Sequence, residues 1–181
     1  MYKRQAEKRS KFTAFLVDKG TPGVTIPTSF PMIGEYHPYE VVFDNVELDD
    51  GQVLGEVGAG FAPLSKRLGV RRLEIASRCL GLATRCLNMM IEQANTRQTF
   101  GAPLSDRQAG QWWISVSYQE IEMVRLMVYQ MAWKMDAGKD SRLDGSMVKV
   151  QGTEMITRVV DRAMQLFGGM GVSKELPLEY I

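Results

Sequence analysis

Histidine is almost missing from this chain of 181 residues: His37 is the single example, and it sits in a proline-rich loop. One imidazole excludes His-based metal cages, the Glu-x-x-His di-iron bundle and most zinc enzymes. A Ser-His-Asp hydrolase is left with one poorly placed base. Cysteine is nearly as scarce. Cys79 and Cys86 are seven residues apart, which puts them on one helix face but about 10 Å apart along the axis, too far to bridge. They read as small buried hydrophobes of a reduced, intracellular protein. Neither charge dominates: 22 basic against 21 acidic residues leave a net charge of +1, which gives no pull toward nucleic acid or an anionic membrane. No apolar run approaches the ~20 residues of a membrane span, and no segment resembles a signal peptide.

What is present is ordinary core material. Hydrophobic residues make up 45% of the chain and charged ones 24%, which allows one good-sized core or about one and a half small ones. Twelve methionines against seven prolines lean helical. Residues 11–60 read as short strands: Phe12–Val17, Val24–Ile26, Tyr39–Phe43 and, more weakly, Val53–Leu54, separated by turn chemistry such as Asp18-Lys19-Gly20-Thr21-Pro22-Gly23. Three or four strands scarcely close a sandwich or barrel. From Gly60 the period changes. Leu73, Ala76, Leu80, Ala83, Leu87, Met90 and Ala94 form a seam along one helix over Phe61–Arg97, roughly 55 Å long. Gly101-Ala102-Pro103 breaks it, and Ser105 or Asp106 is placed to cap a second helix. Ser117, Ile121, Val124, Val128, Met131 and Met135 line that helix, which ends near Gly138. A third starts at Asp140 or Ser141 and runs to about Phe167, apolar over a wide arc that implies contact on two sides. Short links make the neighbours antiparallel. The expected fold is mainly α: an antiparallel long-helix bundle, an incomplete four-helix bundle, preceded by a few strands of a truncated β-barrel or sandwich.

Several features can carry chemistry. Arg97-Gln98-Thr99-Phe100-Gly101 closes the first helix. Its bland reading is a C-terminal cap, a cation against the negative end of the dipole; its functional reading is an anion clamp, because a guanidinium fork matches phosphate oxygens. Gln165-Leu166-Phe167-Gly168-Gly169-Met170-Gly171 is either a glycine-rich helix stop or a side-chain-free surface that admits a flat or phosphorylated ligand. It lacks the strand-then-helix context of a dinucleotide fingerprint. Lys66, Arg67, Arg71, Arg72 and Arg78 make a basic stretch that by default is a solvated face with weak pairs, Glu74 lying three residues after Arg71. Arg72, beside the apolar seam, is the one most inclined toward a pocket. Trp112-Trp113 reads as packing.

These pieces, in this order, resemble the acyl-CoA dehydrogenase family from about Lys11 onward. The strand half is similar to the later part of that family's middle β domain: Phe15–Asp18 (FLVD), Thr21–Val24 (TPGV), Glu40–Val46 (EVVFDNV) and Leu54–Phe61 (LGEVGAGF). The helices are similar to its C-terminal bundle, with R-x-x-F-G at Arg97–Gly101, Gln108 eleven residues after Arg97, and Q-x-x-G-G-x-G at Gln165–Gly171. The resemblance places a partial middle β domain at residues 1–57 and the helical domain, its last helix missing, at 58–181. The head Met1–Gln5 fits no family segment, so the chain reads as truncated at both ends.

The resemblance implies a flavoprotein oxidoreductase of fatty acid metabolism that dehydrogenates an acyl-CoA thioester across its α and β carbons, with FAD as cofactor and an electron-transfer flavoprotein as acceptor. It implies that Arg97, Phe100, Gln108, Gln165, Leu166, Phe167, Gly168 and Gly169 meet the FAD of a neighbouring subunit in a homodimer or homotetramer. It implies that Gly69, Val70, Arg71 and Arg72 line the acyl-CoA site. The catalytic residue stays unknown. Most members carry the base in a loop that would lie beyond Ile181, and a minority carry it at the position of Arg71, where arginine, always protonated, cannot act as base. The alternatives are an inactive helical interaction module of the same fold, or an acyl-CoA oxidase. The expected location is the cytoplasm, or the mitochondrial matrix in a eukaryote. Neither a metal nor a nucleic-acid partner is expected.

Overall fold

The computed structural model describes residues 12–32 and 36–181; the head Met1–Gln5 lies outside the described residues. Two compact units are present, one ending at Leu68 and the other running Gly69–Ile181.

The first unit contains less regular strand than its sequence suggests. β1 (Val24–Thr25) pairs antiparallel with β2 (Val42–Phe43), Val24 opposite Phe43 and Thr25 opposite Val42. The stretches Phe12–Val17 and Val53–Leu54 make only isolated bridges, Phe12 with Ala59 and Phe15 with Val53. Phe12, Phe15, Leu16, Val41, Phe43 and Leu54 are all exposed, so β propensity here is not backed by the burial that extends a ladder. Gly60 is where the chain must be bare. Its amide donates to the Phe12 carbonyl at 2.7 Å, and a Cβ there would strike the Thr13–Ala14 backbone.

The helices follow the apolar period closely. α1 spans Phe61–Thr96, α2 Gln108–Asp136 and α3 Arg142–Phe167. Of the α1 seam, Ala76, Leu80, Ala83, Leu87, Met90 and Ala94 are buried, joined by Cys86, while Leu73 packs at the margin. The wide arc of α3 is real: Met155, Ile156, Val159, Ala163 and Leu166 are buried, with Val160 and Phe167 packed against the same core. Both cysteines are free thiols, and burial pushes the Cys86 thiol up to about 11.

Cross-helix contacts fix the directions. Glu120 of α2 meets Arg158 and Arg162 of α3, while Lys134 meets Asp144, so α2 and α3 are antiparallel. Gly152 of α3 lies against Ala76 of α1 and Gly145 against the Arg72 stem, so α1 and α3 run the same way. The C-terminal ends of α1 and α3 and the N-terminal end of α2 therefore lie at one end of the bundle.

The capping expectations need correction. Neither Ser105 nor Asp106 caps α2; both fall in a 3-10 turn, Leu104–Asp106, and the cap residue is Arg107, with no side-chain cap bond. Gln111 in the first turn instead ties back to that segment, its Nε2 donating to the Ser105 carbonyl at 2.8 Å. At α3 the cap residue is Ser141, but it is the Asp140 carboxylate that accepts from the Arg142 amide. The final segment, Pro177–Tyr180, is a 3-10 turn whose Leu178 is buried in the bundle core.

Candidate functional site

The shared end of the bundle collects the residues that the sequence singled out for a phosphorylated ligand. α1 does not simply stop at Arg97. The chain turns into a two-strand hairpin, β3 (Gln98–Thr99) against β4 (Ala102–Pro103), where the sequence suggests only a break between two helices. The Leu104 amide returns to the Arg97 carbonyl at 2.9 Å, and the Arg107 guanidinium donates to the Thr99 carbonyl. The hairpin tip is Phe100-Gly101, with φ of +49° and +76°. Two consecutive positive φ values are the tight-hairpin geometry normally given to Asn-Gly, and glycine at the second position accepts it without strain. Phenylalanine at the first does not, and its ring is 99% exposed. A strained backbone that presents a bare aromatic ring to the outside is costly twice over, in conformation and in hydration. That combination marks a contact surface.

Arg97 stands at the base of this hairpin. Its side chain is exposed and makes no hydrogen bond or ion pair among the described residues. The hairpin also leads into α2, whose first residue is Gln108, likewise exposed. Two residues on, Gly110 is buried against the Leu104 carbonyl and the Leu166 side chain, each 3.4 Å from where its Cβ would stand. This close approach joins the start of α2 to the end of α3.

The bend after α3 has three glycines in three different circumstances. Gly168 has φ +61° and ψ −134°, a region open essentially to glycine alone. Gly171 is buried, and a Cβ there would collide with the Met164 backbone. Gly169 has neither reason: its φ is not positive and nothing lies within 4 Å of a Cβ placed on it. The space beside Gly168 and Gly169 is open. Leu166 is buried in the core and Phe167 half-buried, so both hold the bend down, while Gln165 is exposed. A cation unpaired among the described residues, a bare aromatic ring, two exposed glutamines and a side-chain-free backbone thus share one end of the helical bundle. This donor set and this room fit the diphosphate and flat rings of a dinucleotide such as FAD. Beside them, an open groove of about 300 Å³ is lined by Ala94 and Asn95 of α1 and by Ser105, Gln111 and Ile114. None of the residues that the resemblance assigns to cofactor or substrate lines it.

The second group, Gly69 to Arg72, is elsewhere. Its nearest member, Arg72, lies 25 residues before Arg97, which directly follows the last residue of α1, roughly 38 Å away at the α-helical rise, so no single diphosphate reaches both. Gly69 and Val70 are half-buried and Gly69 has open space at its Cβ position. The Arg72 Cδ lies 3.8 Å from where a Cβ on Gly145 of α3 would stand, so its aliphatic part is held while the residue stays exposed. Arg71 donates to Glu74 at 2.9 Å through Nη1 in an exposed pair. Among the described residues, no group of histidine, cysteine and acidic side chains could hold a metal ion, and no helix is long and apolar enough to cross a membrane.

Known proteins match this arrangement. The family model for the C-terminal domain of acyl-CoA dehydrogenase matches residues 58–181. An (R)-benzylsuccinyl-CoA dehydrogenase from Thauera aromatica is 51% identical over 179 residues, which is 98% of this chain and 44% of that protein. The solved butyryl-CoA dehydrogenase from Megasphaera elsdenii superposes with a TM-score of 0.91 at 31% identity, covering 97% of this chain and 46% of that one. A glutaryl-coenzyme A dehydrogenase in complex with glutaryl-CoA superposes with a TM-score of 0.90 at 30% identity, covering 95% and 44%. The chain spans less than half the length of these relatives. By sequence and by fold, it belongs to the acyl-CoA dehydrogenase family and carries that family's C-terminal helical domain.

Proposed function

We propose that the protein containing this chain is an FAD-dependent acyl-CoA dehydrogenase that introduces a double bond between the α and β carbons of an acyl-CoA thioester. The observation that carries this reading is the bundle end where unpartnered Arg97, fully exposed Phe100 and the open Gly168–Gly169 bend are gathered. There Arg97 neutralises diphosphate charge through its fork, Gln108 and Gln165 donate hydrogen bonds, and Phe100 offers a stacking face. Leu166 and Phe167 anchor the bend in the core, and Gly168 and Gly169 let the ligand approach the backbone. When bound, FAD supplies the acceptor for the β hydride. The Gly69–Arg72 stretch, far along α1, lines the acyl-CoA site, so the diphosphate held by the bundle end belongs to the flavin of a neighbouring subunit in a homodimer or homotetramer.

The α proton needs a carboxylate base, which we place outside these 181 residues. This chain by itself is therefore expected to be silent. The electrons pass to an electron-transfer flavoprotein, in the cytoplasm or, in a eukaryote, the mitochondrial matrix. The 51% identical relative makes an aryl-substituted acyl-CoA the first substrate to try. Anaerobic addition of benzylsuccinyl-CoA, butyryl-CoA and glutaryl-CoA to the purified full-length protein tests the proposal. Bleaching of the flavin absorbance by one of them is the expected result; a colourless protein, or a flavin that none of them bleaches, refutes it.

A further inference from the structure

Arg71 sets a permanent cation at a position that the functional reading places in the wall of the acyl site, and the inference drawn from it rests on that reading. A permanent cation beside a purely hydrocarbon chain is unfavourable, because its desolvation is not compensated. The residue is not, however, enclosed. Among the described residues its partner is Glu74, reached through Nη1 at 2.9 Å, and the two side chains remain 46% and 39% exposed. Nε and Nη2, the other edge of the fork, have no partner among the described residues. That edge presents two parallel N–H donors, the arrangement that receives a carboxylate bidentately.

The surroundings complete the chemistry. At i−3 and i+4 from Arg71 stand Leu68, exposed, and Ile75, half-buried, which share its helix face. On the other flank Glu74 holds the guanidinium at this border. A cation at the margin of an apolar strip suits a ligand that is apolar over most of its length and carries one negative charge. The 51% identical relative acts, by its name, on benzylsuccinyl-CoA, an acyl group with an aromatic ring and one unesterified carboxyl.

We propose that Arg71 is a specificity-determining residue that receives a second, unesterified carboxylate of the substrate, so that the preferred acyl group is dicarboxylic with an aryl or alkyl branch lying along Leu68 and Ile75. Arg72, tethered over Gly145, does not share this task.

The test compares two acyl-CoAs that differ at one branch. These are 2-(carboxymethyl)-3-phenylpropanoyl-CoA and 2-methyl-3-phenylpropanoyl-CoA, each assayed with the flavin-loaded full-length protein and an artificial electron acceptor. The wild type is expected to favour the carboxylated compound in kcat/KM. Arg71→Met is expected to lower the ratio of the two kcat/KM values roughly 10- to 100-fold, the worth of a charge-assisted bond, and Arg71→Lys to lower it less. A selectivity ratio does not move when a variant merely loses stability, and Arg71→Gln serves as a second variant should Arg71→Met fail to hold flavin. An unchanged ratio in the flavin-loaded variant overturns the proposal, as does a wild type that prefers the methyl compound. A wild type that oxidises butyryl-CoA but neither phenyl compound also overturns it while leaving the dehydrogenase reading standing. A flavin bleached by no acyl-CoA removes both.

Discussion

The three glycines after α3 show that one residue type serves unlike physical needs within four positions. Gly171 is demanded by packing, since any side chain would drive into the Met164 backbone; Gly171→Ala is expected to destabilise the bundle by about 1–3 kcal/mol, as overpacking does, measured as a fall in the urea midpoint. Gly169 meets nothing in the chain. Gly169→Val is therefore expected to leave that midpoint nearly unchanged while weakening flavin retention in the full-length protein. Arg97→Ala has the same signature, with a loss of roughly 1.5–3 kcal/mol in flavin affinity for a charge-assisted bond to phosphate. Equal loss of stability in all three variants would mean that the bend is only a helix stop. The motif was legible in the sequence as a whole, but the division of labour inside it was not, because steric contact with Met164 exists only once α3 has bent back on itself.

At the scale of elements, α2 and α3 are joined by a charged cluster at the bundle margin. Glu120 receives Arg158 at 2.8 Å and Arg162 at 2.7 Å, and Arg162 also reaches the buried Ser117 hydroxyl. Burial alone would raise the Glu120 pKa; the hydrogen bonds from Arg162 and Arg158 outweigh it and hold it below the ordinary value of 4.5. A depressed folded-state pKa stabilises above the unfolded value and loses that contribution as pH falls through the folded one. Thermal unfolding from pH 7 to pH 3 should thus show a drop in Tm below about pH 4.5 that is shallower in Glu120→Gln. A parallel drop in both proteins would show that Glu120 is not responsible. Across the other contact, Gly152 has the Ala76 Cα only 3.1 Å from its Cβ position, so Gly152→Val is expected to force α1 from α3 and lower stability by a similar few kcal/mol. Helix existence and extent were readable from the 3-4 spacing alone. The caps were not, because the turn at Leu104 and the hairpin before it took the residues that would have capped α2.

For the molecule as a whole, the helical unit carries an apolar face that is exposed among the described residues. Trp112, Val116, Met123, Leu126 and Trp133 are exposed along one side of α2, at spacings that repeat every turn or two. A continuous exposed strip of this kind is expected to drive self-association of the isolated chain. Sedimentation velocity that returns a single stable monomer at micromolar concentration would contradict this.

The amino-acid order by itself determined the helical period, the class of fold and the motifs by which the family is known, since each depends on spacing along the chain. Antiparallel return of α2, parallel alignment of α3 with α1, and the close approach at Gly110 then decided which of those motifs meet. Arg97 and Gly168 are far apart in sequence, and only packing of side chain against side chain gathers them at one end while leaving Arg71 at a distance. The strain at Phe100 and the open edge of Arg71 belong to the same category. Both arise from what the folded neighbours do and do not touch, which no pattern of residues records.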